Sequence, residues 1–283
     1  MSCLSRDARH RTSRAMPDLF DMRLRAMRRD RAARIGTELF LYERVFEDLV
    51  ERIDTAGRKF ATCLLVGSPD ASWKARLGAV TTNVVVVDPG PLFAASSGGS
   101  TIEEDRLDTH GEQFDLIMAI GTLDTVNDLP VALMLLAHAL RDGGLLIGAL
   151  SGGDTLPRLR SAMRSADAVS GIATPHVHPR IAPAALAPLI EQAGLVRPVV
   201  DVDRVEVAYP SFARLVRDLR AMGVTNILAD RPRRYIGRAE LASATETFAV
   251  DQDQGRTIET FEILHFTAVK PGRPEAESRP ATR

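Results

Sequence analysis

Four short, predominantly apolar runs constrain the fold of this chain more than any other feature. They are Phe60–Val66, Asn83–Val87, Phe114–Ile120 and Gly144–Leu150. Strands that are apolar at nearly every position, rather than at alternate positions, are buried on both faces, as in a parallel sheet covered by helices. A spacing of about 30 residues between such runs is typical of the β-α-β unit. The sequence therefore predicts a doubly wound α/β domain.

Segments with helical periodicity precede and follow these runs. Two N-terminal helices that meet near Gly36 are predicted from two apolar stripes. The first stripe contains Leu19, Phe20, Leu24 and Met27, and the second contains Leu39, Phe40, Val45, Phe46, Leu49 and Ile53. Later helices are predicted over Leu129–Leu140, Asp154–Ala168 (with Asp154 or Thr155 as N-cap), Ala184–Ala193, Ser211–Met222 and Arg238–Val250. Val196–Tyr209 and Thr257–Val269 are predicted strands.

These elements predict one domain between two irregular ends. Residues 1–16 are expected to form a flexible basic extension, and residues 271–283 a disordered tail rich in proline and charge. The domain, 17–270, would comprise N-terminal helices over 17–56 and a cofactor-type core over 57–150. A helical insertion over 209–250 would separate the last two strands and cover the mouth of the cofactor site.

Composition excludes several classes of protein. The 36 Lys and Arg residues balance 37 Asp and Glu residues, so no strong attraction to nucleic acid is expected. No apolar run approaches the ~20 residues that a membrane-spanning helix needs, so we expect no membrane insertion. The N-terminus lacks the apolar stretch of a secretion signal, which favours the cytoplasm. Cys3 and Cys63 are too few for a disulfide framework. The oligomeric state is left open.

A ligand site is expected at the carboxyl ends of the parallel strands. Gly67 and Ser68 follow the first run, Asp88 closes the second, and the segments 102–107 and 121–128 lie beside the later ones. A glycine lets the backbone approach a ligand closely, and a carboxylate can accept hydrogen bonds from two ribose hydroxyls. This pattern favours a ligand that contains a nucleoside.

Several motifs match known proteins in the same order. They are Leu19-Phe20-Asp21, Arg29-Asp30-Arg31-Ala32-Ala33, Val126-Asn127-Asp128-Leu129-Pro130, Leu140-Arg141-Asp142-Gly143-Gly144, Gly152-Gly153-Asp154-Thr155-Leu156 and Asp218-Leu219-Arg220-Ala221-Met222-Gly223. The chain, from about Leu19 to Phe266, resembles class I S-adenosylmethionine-dependent methyltransferases. More narrowly, it resembles the family of NADH dehydrogenase (complex I) assembly factor 5 and its bacterial methyltransferase relatives.

The resemblance implies a Rossmann-like, mostly parallel sheet of seven strands and S-adenosylmethionine as cofactor. It implies that Asp88 binds the ribose, that Glu103 with its neighbour Glu104 lies near the adenine, and that Gly67 and Ser68 contribute backbone contacts. It further implies a subunit of respiratory complex I as partner, with the mitochondrial matrix as location in a eukaryote.

The chain departs from the family pattern in its first loop and after the third run. Leu65 replaces an acidic residue, and Pro69 and Ala71 replace two glycines. Leucine cannot accept a hydrogen bond, and proline lacks an amide donor. The family's Leu-His-Trp is here Leu123-Asp124-Thr125, which makes Asp124 a candidate base or a helix cap.

Three functions are compatible with these residues. The favoured one is an S-adenosylmethionine-dependent methyltransferase with an unusual first loop. The second is a non-catalytic assembly or binding factor whose cofactor site has degenerated. The third, implied by the mitochondrial family member, is a protein-arginine hydroxylase.

Five further residues are candidate sites, and a structural role is expected for each. His176 and His178 have a spacing that can share a metal ion, but we expect no metal site in this proline-framed loop. Trp73 could stack on adenine, although packing on the sheet is preferred. Asp201 and Asp203 lie on one face of a strand, where solvent exposure is expected.

Overall fold

Seven strands form a single sheet in the computed structural model, which describes residues 17–250 and 252–272. The strand order is β3-β2-β1-β4-β5-β7-β6, and β7 runs antiparallel to both of its neighbours while the other pairs are parallel. The strands are β1 (Phe60–Val66), β2 (Thr81–Asp88), β3 (Ser100–Thr101), β4 (Phe114–Ile120), β5 (Leu140–Ser151), β6 (Val196–Tyr209) and β7 (Thr257–Val269). The predicted fold class, a doubly wound and mostly parallel sheet, is confirmed. The predicted extension over 1–16 and residues 273–283 of the predicted tail lie outside the described residues.

Helices cover both faces of this sheet. They are α1 (Met22–Ile35), α2 (Phe40–Thr55), α3 (Ser72–Leu77), α4 (Pro91–Ser96), α5 (Leu129–Ala139), α6 (Pro157–Ser170), α7 (Pro183–Gln192), α8 (Phe212–Ala221) and α9 (Arg238–Phe248). One core lies between the sheet and helices α2, α3, α6, α8 and α9, and the other lies between the sheet and α5 and α7. Helices α8 and α9 connect β6 to β7. In the described ranges, no helix combines the length and apolarity needed to cross a bilayer.

The apolar stripe predicted for α1 is only partly confirmed: Phe20 is buried and Leu24 packs against the same cluster, but the helix itself buries arginines. Met27 is 57% exposed, whereas Arg25, Arg29 and Ala32 are buried. Residues four and three apart occupy one face of a helix, so these three side chains point the same way. The second predicted stripe is confirmed in α2, where Phe46 and Leu49, among others, are buried.

Two boundaries near β5 and β7 differ from the prediction. Helix α5 ends at Ala139, because β5 already begins at Leu140. Helix α6 begins at Pro157 instead of Asp154, and neither predicted N-cap residue caps it. Thr155 instead donates its hydroxyl to the carbonyl of Glu262 (2.9 Å).

Candidate functional site

The loop after β1 packs tightly against the next strand. Gly67 has φ of +84°, and its amide donates to the carbonyl of Val87 on β2 (2.9 Å). A Cβ at this position would collide with the carbonyl oxygen of Ile120 on β4. Glycine is therefore required by strand packing as well as by the backbone angle. Ser68, the next residue, is fully buried.

Asp88, at the end of β2, has all of its acceptor positions in use. Oδ1 accepts from Arg29 Nε (2.8 Å) and the Gly90 amide (2.6 Å), and Oδ2 accepts from an Arg29 terminal nitrogen (2.6 Å) and the Ser68 amide (2.8 Å). A carboxylate has about four lone-pair sites, and here each is matched to a donor. The Asp88 side chain is fully buried, and Arg29 is 4% exposed.

Glu104 is paired in the same way by the preceding turn of α1. The two terminal nitrogens of Arg25 donate to its two carboxylate oxygens at 2.6 and 2.8 Å, and one of them also donates to the carbonyl of Thr122 (2.6 Å). Glu104 is fully buried. Glu103, in contrast, is half-buried and pairs with Arg106 (3.1 Å). The structure thus brings Gly67, Ser68, Asp88 and Glu104 to one edge and leaves Glu103 beside it.

The start of α1 is fixed by side chains on two sides. Asp21 caps the helix by accepting from the Leu24 amide (2.9 Å). Asn127 accepts from the Phe20 amide (2.8 Å) and donates to its carbonyl (3.1 Å).

Farther along α1, burial lowers the pKa of Arg29, but the charge and hydrogen bonds of Asp88 outweigh this effect and raise the pKa above its ordinary value. Arg29 is therefore a permanent cation at this edge.

A nucleoside cofactor needs free carboxylate oxygens for its ribose hydroxyls, and Asp88 offers none. Both oxygens of Asp88 are saturated, and Glu104 is covered by Arg25. Leu65, which replaces the family's acidic residue, is fully buried in the core. The residues as arranged here do not fit S-adenosylmethionine. The assignment of Gly67, Ser68, Asp88, Glu103 and Glu104 to cofactor binding stays a prediction.

Asp124 lies beside this edge and forms a buried ion pair with Arg180. The side chains are 6% and 4% exposed, and burial lowers the pKa of Arg180 to about 10, so it is still charged at neutral pH. Asp124 does not cap α5. That cap is Asp128, which accepts from the Val131 amide (3.0 Å). Asp124 and Arg180 line a mainly apolar cavity at the carboxyl ends of β4 and β5.

The two histidines of the proline-framed loop serve separate contacts. The ring of His176 contacts the carboxylate of Asp167 (2.8 Å). Nε2 of His178 accepts from the Ile227 amide (2.9 Å). Among the residues that the structure describes, no three His, Cys, Asp or Glu side chains are grouped to hold a metal ion.

The remaining candidates from the sequence are engaged with neighbouring protein groups. Trp73 is fully buried and stacks on Phe46 at 4.5 Å between ring centroids, so it packs on the sheet side of α2. Asp201 and Asp203 pair with Arg52 (2.6 Å) and Arg44 (2.8 Å) of α2.

Sequence reasoning missed the arginines that surround the candidate site. Arg25 and Arg29 stand four residues apart, a spacing that puts both side chains on one helix face. That spacing was the available signal, but it also suits a solvated basic helix. Arg180 had no such signal, because its partner Asp124 is distant in sequence.

Comparisons with known proteins agree with the resemblance seen in the sequence. The chain is 28% identical to the zebrafish (Danio rerio) protein named arginine-hydroxylase NDUFAF5, mitochondrial, over 99% of the chain and 91% of that protein. It is 32% identical to the malonyl-[acyl-carrier protein] O-methyltransferase of Xylella fastidiosa, over 60% of the chain and 54% of that enzyme. No protein-family model matches the chain.

Solved structures support the same fold. The YcgJ protein from Bacillus subtilis aligns with a TM-score of 0.54 at 10% identity, over 80% of this chain and 98% of that one. A candidate methyltransferase from Bacillus halodurans aligns with a TM-score of 0.50 at 12% identity, over 80% and 99%. The chain is thus methyltransferase-like and resembles NDUFAF5, as the sequence predicted.

Proposed function

We propose that this methyltransferase-like chain is a non-catalytic binding factor that works without a nucleoside cofactor. The observation behind the proposal is the pair of contacts Arg25–Glu104 and Arg29–Asp88, called here the α1 arginine pairs. Of the three carboxylates that the resemblance assigns to the cofactor, Asp88 and Glu104 are buried beneath these pairs, and Glu103 is half-buried beside them. The favoured interpretation of the sequence was an enzyme, and the α1 arginine pairs support the alternative instead.

The free energy of replacing an arginine by a ligand at these carboxylates favours the arrangement in which the ion pairs stay intact. A ribose hydroxyl that reached Asp88 would displace Arg29 and leave its buried guanidinium without a counter-charge. Separating a buried ion pair without replacing the partner costs about 3–5 kcal/mol, which weakens binding by more than a hundredfold. A ligand of micromolar affinity would thereby become one of roughly 0.2 to 5 mM affinity.

The partner class comes from the resemblance to the complex I assembly family. We propose a subunit of respiratory complex I as the partner, bound while the subunit is being assembled. A binding factor of this kind needs the methyltransferase architecture as a scaffold and no methyl donor. Recovery of that subunit in a pull-down should therefore be equal with and without added S-adenosylmethionine.

Calorimetric titration of the purified chain with S-adenosylhomocysteine and S-adenosylmethionine tests the proposal. We expect no binding heat from either nucleoside at about 1 mM. Replacing both arginines (Arg25→Ala with Arg29→Ala) should make it easier for the nucleoside to enter the site. Arg23→Ala, on the exposed side of the same helix, should leave the titration unchanged. Binding by the wild-type chain tighter than about 100 μM, and its loss in Asp88→Ala, would refute the proposal.

A second candidate is an S-adenosylmethionine-dependent methyltransferase in which α1 withdraws from the edge. The observation in its favour is that acidic residues persist where the resemblance assigns them, at Asp88 and in the turn that contains Glu104. Methyl transfer depends mainly on alignment of the reacting atoms, so few catalytic side chains are obligatory. The titration above separates this candidate from the binding factor.

Arginine hydroxylation is a third candidate, and it derives from the printed name of the NDUFAF5 relatives. It is tested by the intact mass of a candidate respiratory subunit after incubation with the chain, dioxygen and a two-electron reductant, because one oxygen atom enters the arginine and the other is reduced to water. A gain of one oxygen atom, located on an arginine by fragmentation, would support it.

A further inference from the structure

The cavity that contains Asp124 and Arg180 lies beside the α1 arginine pairs and is separate from them. It opens between α2, α8 and β7 and has a volume of about 70 Å³. Its walls are apolar side chains, notably Leu41, Val45, Ile120, Leu219, Met222 and Phe261. Such a lining, with a few polar groups, is typical of a site for a small organic molecule.

Two polar atoms in this cavity are buried without a partner among the described residues. They are Nε of Arg180 and Oδ1 of Asp124, although the two side chains pair through their other atoms. The side chains are 96% and 94% buried, so bulk water does not supply the missing hydrogen bonds. Buried donors and acceptors are nearly always satisfied in folded proteins, by protein, water or a ligand. An unpaired donor and an unpaired acceptor within one buried ion pair point to a molecule that bonds to both.

The chemistry of the two atoms selects the ligand. Nε–H of Arg180 requires an acceptor, and Oδ1 of Asp124 requires a donor. The charges of the two side chains cancel, and Glu262, which also lines the cavity, is paired with Arg204, so an ionic ligand would have no free counter-charge in this place. A carboxylate has no proton to donate to Oδ1 of Asp124. An ammonium group has no acceptor for the Nε–H of Arg180. A neutral group with a carbonyl and an N–H, or a hydroxyl, satisfies both atoms.

We propose that this cavity binds a small neutral amphipathic molecule, whose apolar body lies among the side chains of α2 and α8. Its carboxamide or hydroxyl end contacts Arg180 and Asp124. This ligand is additional to the binding role proposed above and does not use Asp88 or Glu104. Probe binding and nucleoside titration are separate measurements, so failure of one is distinguishable from failure of the other.

Hexanamide is the probe, and hexanoate and hexylammonium are its charged counterparts with the same chain length. Calorimetry or protein-detected NMR on the full chain measures their dissociation constants. We expect hexanamide to bind at least about tenfold tighter than either charged probe, because each charged end leaves one buried polar atom unsatisfied. Equal affinities for the three probes, or no hexanamide binding at millimolar concentration, would overturn the proposal.

Substitutions then locate the binding site. Arg180→Met combined with Asp124→Leu replaces the pair by apolar groups, a change that is often tolerated. It should weaken hexanamide binding at least about tenfold and abolish the preference over the charged probes. Unchanged affinity in this double variant would place the amide elsewhere and refute the assignment.

A matched pair of leucine substitutions guards against a folding failure in the double variant. Leu41→Trp should fill the cavity and prevent hexanamide binding. Leu92→Trp, at a partly exposed position on α4, should leave the affinity unchanged. Equal binding by both variants would contradict the proposed location.

Discussion

Glu259 shows how one side chain of β7 defines the start of a helix. Its carboxylate accepts from the amides of Arg158 (3.1 Å) and Leu159 (2.8 Å) in the first turn of α6. Glu259→Gln keeps the shape but turns an acceptor into an NH2 donor that faces an amide N–H. We expect a loss of about 1–3 kcal/mol in the free energy of unfolding, measured with urea. The exposed Glu206→Gln on β6 is the control, and an equal effect of both would contradict this role.

His178 makes stability depend on pH. Burial, together with the positive charges of Arg160 and Arg25, lowers its pKa to about 4. In the unfolded chain its pKa is about 6.5, so between these values the unfolded state binds more protons and folding weakens as pH falls. Its contribution is full above pH 6.5, and about 3 kcal/mol is lost by pH 4. His178→Gln, which keeps an acceptor for Ile227, should flatten this slope in urea titrations at pH 4.5 and 7. The exposed His110→Gln should not.

At this same scale, the sequence predicted the acidic positions of the candidate site but not their partners. Asp88 and Glu104 could be located because strand ends and loops follow from the apolar pattern. Whether these carboxylates are paired or free could not be predicted, because ion pairing with Arg29 and Arg25 depends on where α1 lies in space. A helix with this many arginines has the same sequence pattern whether its arginines face water or buried carboxylates.

Helix α1 is the element whose placement decides the function, and its ion pairs can be tested directly. Arg29→Ala leaves Asp88 charged and buried without its cation, so the free energy of unfolding should fall by about 3–5 kcal/mol. Arg29→Lys keeps the charge but cannot make the bidentate contact. The free energy of unfolding should therefore fall by less, about 1–3 kcal/mol. Arg23→Ala, on the exposed face, should stay within about 0.5 kcal/mol. Similar losses for Arg29→Ala and Arg23→Ala in urea unfolding would show that the pair contributes little.

The elements of the sheet were predicted far better than α1, and the reason is physical. Strands buried on both faces have an unbroken apolar pattern, which is why β1 and β4 match their predicted bounds. The two-residue strand β3 has no pattern of its own and is defined only by its pairing with Val87 and Asp88. The start of α6 was misplaced because its cap, Glu259, comes from a distant strand.

The whole molecule is organised around one sheet with a core on each side, so both cores should unfold together. Trp73, the only tryptophan, lies in the core on the α2 side, whereas Leu136 of α5 is fully buried in the other. Leu136→Ala should lower the free energy of unfolding by about 2–5 kcal/mol. If the molecule unfolds as a single unit, Trp73 fluorescence and far-UV circular dichroism should report the same shifted transition.

Two further variants complete this test of cooperativity. Leu49→Ala, in the same core as Trp73, should produce a comparable shift, and the two losses should add within about 0.5 kcal/mol because the sheet separates the sites. Met134→Ala, at an exposed position of α5, controls for the helix itself. A Trp73 transition that does not move in Leu136→Ala, while the dichroism transition does, would mean that the cores unfold independently. Coincident shifts would mean that the two cores unfold as one cooperative unit.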